Sequence, residues 1–130
     1  MIKKIVNVAV GVVLNGDEVL ICKRAEDQHQ GGLWEFPGGK IEADETVFAA
    51  LKRELKEEVD IEIASGDLLM TIDHDYGDKC VSLHVLLVEQ FTGKAKGLEH
   101  QPLQWVNKHL LKNYKFPAAN IAIIEALLAR

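Results

Sequence analysis

Thr46-Val47-Phe48-Ala49-Ala50-Leu51-Lys52-Arg53-Glu54-Leu55-Lys56-Glu57-Glu58-Val59 is the stretch on which the reading of this chain turns. It contains neither Gly nor Pro, and it opens on a hydroxyl residue suited to an N-cap. At about 100° per residue, Val47, Phe48, Leu51, Leu55 and Val59 share an arc of roughly 120°, the face that packs on a sheet. Lys52 and Lys56 fall near or beyond the far edge of that arc. Glu54, Glu57 and Glu58 occupy an arc of roughly 100° that overlaps the apolar one. The carboxylates of Glu54 and Glu58 therefore start from the rim of the buried face and not from its solvent side.

Acidic helix faces are ordinarily solvated surface, and two features set this one apart. Glu54 and Glu58 form a like-charge i, i+4 pair, which costs about 0.2–0.5 kcal/mol instead of contributing it. A carboxylate at the edge of a core also costs more than an exposed one unless a cation compensates it. Arg53 supplies one positive charge against three negative ones. A hard divalent cation meets that need, and Mg²⁺ characteristically joins carboxylates to substrate phosphates. Just upstream, Pro37-Gly38-Gly39 bends the backbone sharply and can bring main-chain groups beside such an ion. Gly38-Gly39-Lys40 is not a Walker A loop: the earlier glycine would fall at Trp34, and Ile41 follows Lys40 where Ser or Thr is required.

Outward from the helix, residues 4–14 are rich in β-branched side chains and read as a strand. Asn15-Gly16-Asp17 has the residues of a tight hairpin, and Glu18 to Lys23 returns as a second strand. Residues 25–33 read as a loop, and Trp34 to Phe36 as a short strand. Strand signals recur at 67–73 and 81–91, separated by the polar segment His74-Asp75-Tyr76-Gly77-Asp78-Lys79, and again at 103–106. A closing helix near 118–129 carries Ile121, Ile124, Leu127 and Leu128 at helical spacing. Strands and helices mix without strict βαβ alternation, which predicts an α/β (α+β) fold with helices on the faces of a mixed sheet. A chain of 130 residues suits one compact domain spanning 1–130.

Composition narrows the function. The net charge of −5 argues against sequence-independent nucleic-acid binding, which needs a basic face, and no direct DNA binding is expected. No run approaches the roughly 18 apolar residues of a membrane span. Lys3 and Lys4 precede an apolar run, but Asn7 interrupts it and no small-residue cleavage site follows, unlike a signal peptide. Cys22 and Cys80 form no CxxC and read as buried free thiols, in keeping with a reducing cytoplasm. His29, His74, His84, His100 and His109 show no HExxH pairing and read as solvent-facing or structural.

Gly39, five residues, Glu45, seven residues, then Arg53-Glu54-Leu55-Lys56-Glu57-Glu58 is also a spaced pattern of residue types, and by it the chain resembles the Nudix hydrolase family. One position departs: the family usually has Gly at 60, where this chain has Asp60. That residue ends the helix in a left-handed conformation, which Asp tolerates at a cost of about 1 kcal/mol at most. The resemblance extends over nearly the whole chain and is strongest to the MutT branch, which clears oxidised guanine nucleotides. It rests on Lys23-Arg24-Ala25, Glu35-Phe36-Pro37-Gly38-Gly39-Lys40-Ile41-Glu42, Glu99-His100-Gln101-Pro102 and Phe116-Pro117-Ala118-Ala119-Asn120.

The resemblance implies an α/β/α sandwich around a mixed sheet and Mg²⁺ as cofactor with Mn²⁺ as a substitute; a cytoplasmic monomer is the accompanying expectation. It implies attack of water on a nucleoside triphosphate, 8-oxo-dGTP above others, releasing the monophosphate and pyrophosphate. Gly39 would offer its carbonyl to the metal, and Glu54, Glu57, Glu58 and Glu99 their carboxylates. Glu54 is the expected general base and Glu99 its competitor. Arg53 would orient the glutamates. Arg24 and Lys40 would lie near phosphates or sugar, with Gly38 and Phe36 lining the substrate site.

Asn120 has two readings: N-cap of the last helix, or reader of the purine as in the MutT branch. Tyr76 and Lys79 align loosely with a base-contacting loop, and a plain surface loop is the alternative. Trp34 and Trp105 read as core or pocket wall. A sister group acting on pyrimidine nucleotides matches Gly32-Leu33-Trp34-Glu35-Phe36 and Leu98-Glu99-His100-Gln101 about as well, but tends to carry Asp at position 120. A non-catalytic Nudix-fold lesion reader would lack the glutamates and be fused to a glycosylase. Here the glutamates are intact.

Overall fold

The structure is a computed structural model that describes residues 4–27 and 31–130; Lys3 and His29 lie outside the described residues. In chain order the elements are β1 (Lys4–Asn15), β2 (Glu18–Lys23), β3 (Trp34–Glu35), β4 (Gly38–Lys40), α1 (Val47–Val59), β5 (Glu62–Ile63) and β6 (Asp67–Asp75). There follow β7 (Lys79–Val88), β8 (Phe91–Thr92), β9 (Leu103–Asn107), a 3-10 segment at Lys108–Asn113, and α2 (Ala118–Leu128).

Residues 9–14 of β1 are buried, which explains the apolar run there. Ala9 and Val13 turn toward α1 and pack with Leu51, Leu55, Val59 and Ile61. Val10, Val12 and Leu14 turn the other way and pack with Ile123, Ile124 and Leu127 of α2. The result is the expected α/β/α sandwich. β1 runs parallel to β7 over Lys4–Val13, and the other pairings in the sheet, ordered β3-β2-β1-β7-β6, are antiparallel.

β1 shares one edge between two partners: β4 over Val8–Val10 and β2 at Leu14–Asn15. Gly11 sits at the changeover and donates its N–H to Pro37 O at 2.8 Å. The Pro37-Gly38-Gly39 bend therefore continues as a strand paired to β1, an element the sequence did not reveal. Gly38 is required there because an added Cβ would strike the Ala9 carbonyl.

Several expectations hold closely. The hairpin turns at Gly16, φ 64°. Thr46 caps α1 by accepting the Ala49 N–H at 3.0 Å. Asp60 ends it in the left-handed region, φ 60° and ψ 37°, and its carboxylate also pairs with Lys56 at 3.1 Å.

Two expectations need correction. The polar segment 74–79 is strand at both ends and turn at 76–78: β6 runs to Asp75, β7 starts at Lys79, and Asp75 pairs with Cys80. Cross-strand pairing overrode composition at the two ends, and the reversal is made at residues 76–78 with Gly77 at φ 94°. Asn120 is not an N-cap. Pro117 holds that position without a side-chain cap, and Asn120 lies inside the first turn of α2.

Candidate active site

Between β1, the β6–β7 hairpin and the start of α2 opens a cleft of about 760 Å³. Val6, Val8, Val10, Val81 and Leu83 form its aliphatic floor, because even positions of β1 and odd positions of β7 share this face. Arg24, Phe36, Gly38, Gly39, Lys40, Tyr76, Lys79 and Asn120, all expected substrate-side or metal-side residues, line this same cleft. Phe36 is 3% exposed and stacks on Phe116 with centroids 5.3 Å apart, so it is wall as well as lining. His74 also reaches the cleft and sits 4.4 Å, centroid to centroid, from Tyr76. Its strand position turns it there, half-buried at the cleft edge. Trp34 and Trp105 do not line the cleft; they meet Tyr114 and Phe91 as ring partners.

The glutamates of α1 approach from beside β4. A Cβ at Gly39 would overlap the Glu54 carboxylate, so glycine is what lets the strand pass this close to the helix. Glu54 and Glu58 are half-buried and Glu57 is exposed, as the helical wheel predicts.

Arg53 organises one half of the acidic surface. Its Nε and Nη2 donate to the two oxygens of Glu45 at 2.8 and 2.9 Å, and Nη1 donates to Glu54 at 2.7 Å. Nη2 also reaches the Lys40 carbonyl at 3.1 Å, tying helix to strand. The Arg53 hydrogen bonds and the Glu42 N–H hold the Glu45 carboxyl down to about 2. Glu45 was quoted in the sequence pattern without a role; its spacing from Arg53 was the available signal.

The cation of the other half, Arg24, pairs with Glu35 and not with Glu58. Burial, reinforced by Glu35, Glu99 and Glu54, pushes the Glu58 carboxyl up to about 8, although the Gly38 N–H donates to it. Glu35 is likewise raised, chiefly by burial, even though Arg24 Nη1 donates to it at 2.9 Å. Glu35 is a second residue the sequence reasoning left without a role: its place opposite Cys22 across the β2–β3 ladder needs the fold. Cys22 is a buried free thiol raised by burial and by Glu58, Glu35 and Glu99, hence inert. Cys80 is free and half-buried.

Uncompensated negative charge at a partly buried carboxylate fits a hard divalent cation. Among the described residues no three His, Cys, Asp or Glu side chains already converge on one point. A closed protein cage is not required, since Mg²⁺ keeps several waters and is held by one or two carboxylates plus substrate phosphates.

Comparison with known proteins agrees with this geometry. The NUDIX domain model matches residues 9–126, and the chain belongs to the Nudix family. It is 39% identical to the 8-oxo-dGTP diphosphatase of Haemophilus influenzae, covering 98% of this chain and 95% of the relative. It is 33% identical to the CTP pyrophosphohydrolase of Escherichia coli, covering 97% and 93%. A solved structure from a study of MutT of Aliivibrio salmonicida and Vibrio cholerae superposes with TM-score 0.88 at 36% identity, covering 97% of this chain and 98% of that one. Enzymes of this family work with a divalent metal ion. No helix among the described residues is long and apolar enough to cross a membrane.

Proposed function

We infer that the chain, as one domain over residues 1–130, is a Mg²⁺-dependent pyrophosphohydrolase of nucleoside triphosphates that acts preferentially on 8-oxo-dGTP. Mn²⁺ substitutes for Mg²⁺, and the protein works as a cytoplasmic monomer without binding DNA. One observation carries the base preference: Asn120 lies within α2, free of a capping duty, on the wall of the cleft that Arg24, Gly39 and Lys40 also line.

Guanine offers two acceptors, O6 and N7, whereas 8-oxoguanine offers an acceptor at O6 and a donor at N7. A carboxamide has one donor and one acceptor, so it matches the oxidised base and mismatches the ordinary one. Each mismatch of buried polar groups costs on the order of 1–3 kcal/mol. The aliphatic floor and Phe36 hold the base, Tyr76 and Lys79 close over it from the hairpin, and Arg24 and Lys40 take the phosphates or sugar.

When bound, the divalent ion neutralises phosphate charge and lowers the pKa of a coordinated water. The Gly39 carbonyl and the carboxylates of Glu54, Glu57, Glu58 and Glu99 are the groups that would hold it. Glu54 accepts the proton of the attacking water. A new oxygen–phosphorus bond forms as the bridging bond to the pyrophosphate oxygen breaks. Arg53 keeps Glu54 aimed, with Glu45 as its anchor.

Kinetics on a nucleotide panel with Mg²⁺, with products resolved, test this. The expected outcome is monophosphate plus pyrophosphate and a preference for 8-oxo-dGTP over dGTP that Asn120→Ala reduces by roughly tenfold. Release of diphosphate and orthophosphate would contradict the reaction, and indifference to base oxidation would contradict the base assignment. The likeness to a CTP pyrophosphohydrolase favours a second reading, pyrimidine triphosphates, which the same panel separates.

A further inference from the structure

The chain between β8 and β9 crosses the C-terminal end of α1, where helix carbonyls lack intrahelical partners. Val59 O accepts the Lys96 N–H at 2.9 Å. Glu58 O accepts twice, from the Leu98 N–H at 3.1 Å and from Gln101 Nε2 at 3.0 Å. The other end of the same Gln101 amide, Oε1, accepts the Glu99 N–H at 2.9 Å. One side chain thus spans from the main chain of Glu58 to the main chain of Glu99. The loop is shaped for this. His100 adopts φ 63°, and a Cβ at Gly97 would strike the Gln101 carbonyl.

We propose that Gln101 is a positioning residue that holds Glu99 beside Glu58, so that two carboxylates from separate elements face one divalent cation. The inference rests on the reading of Glu99 and Glu58 as metal ligands given above. Glu99 is exposed on its loop, and the Gln101 amide fixes where its side chain starts by joining the Glu99 N–H to the Glu58 carbonyl. A plain helix cap is the competing role, and it is dispensable here because the Leu98 N–H also satisfies Glu58 O.

The test is a double-mutant cycle on the full chain, with Mn²⁺ alone as the probe and free ion read by electron paramagnetic resonance in the absence of nucleotide. Gln101→Met keeps the volume and removes both hydrogen bonds. It is expected to weaken Mn²⁺ binding roughly tenfold, as loss of an outer partner of a metal ligand does, and to lower kcat with little change in KM. In a Glu99→Gln background the same change is expected to alter Mn²⁺ binding less than about twofold, because Gln101 acts through Glu99. Equal losses in both backgrounds would make Gln101 a structural cap and overturn the proposal. If Glu99→Gln weakens binding and Gln101→Met does not, the ligand reading stands and the proposal alone falls. A silent Glu99→Gln variant instead removes the ligand reading, and the proposal with it. Should Gln101→Met not fold, Gln101→Leu, which also lacks both amide groups and adds no charge, carries the same cycle with the same deciding outcomes.

Discussion

Two halves of one acidic surface, separated by little more than a turn of α1, are built in opposite ways. Around Arg53 the negative charge is already met: Glu45 and Glu54 receive guanidinium hydrogen bonds of 2.7 to 2.9 Å, and the Glu45 carboxyl is held down to about 2. Around Glu58 burial and three neighbouring carboxylates leave charge unmet, and its carboxyl rises to about 8. The paired half is scaffold, fixing Glu54 and joining α1 to β4 through the Lys40 carbonyl. The unpaired half is poised for an added cation. A count of acidic residues would treat the two alike; partners and burial separate them.

The sharpest way to break this contrast is Glu54→Gln, at the seam between the halves. As general base its loss is expected to lower kcat by roughly 10²–10⁴-fold, with the melting temperature nearly unchanged. Near-normal turnover would return the base role to Glu99. Next in size is Arg53→Met, which leaves the glutamates present but unaimed. A kcat decrease of roughly 10–100-fold with a small change in KM is expected, in the range for an outer partner of a metal ligand. A change confined to KM would make Arg53 a substrate contact instead.

The smallest effects are in pH dependence without metal, and the two halves differ in sign. Glu45, lowered from 4.5 to about 2, contributes stability that is present above pH 4.5 and lost as pH falls toward 2. Glu58, raised from 4.5 to about 8, is without penalty below pH 4.5 and increasingly destabilising as pH climbs to 8. In a chelator, Glu58→Gln is therefore expected to melt above the parent by a margin that widens over that upper window. Glu45→Gln is expected to melt below its parent at neutral pH and converge with it in acid. Melting curves across pH check both, and parallel curves for either variant would remove the contrast.

Much of the molecule was legible beforehand, and the reasons are local. The rim position of Glu54 and Glu58 follows from helical geometry, and Thr46 and Asp60 stand at the helix ends because a cap hydroxyl and a tolerated left-handed residue are properties of those side chains. The β4 strand was missed because three residues carry no periodicity; it exists through pairing with Val8–Val10. The strand ends at 74–75 and 79 were not legible because polar residues there carry no strand signal, while the ladder to Asp75 and Cys80 depends on a partner strand. His74 and Glu35 gained their places in the same way, from which face of a strand they occupy once register is set.

The sequence by itself determined the acidic helix, its caps, the apolar strands and the family pattern, because these depend on spacing within one element or on residue type. Tertiary structure alone decided which carboxylates are neutralised, since Arg53 reaches Glu45 eight residues back and Glu58 meets Glu35 and Glu99 only across packed elements. It also decided that Asn120 stands within α2 on the cleft wall and that Gln101 links Glu99 to the end of α1. Charge, burial and hydrogen bonding depend on what lies nearby in space, and a chain acquires such neighbours when it folds.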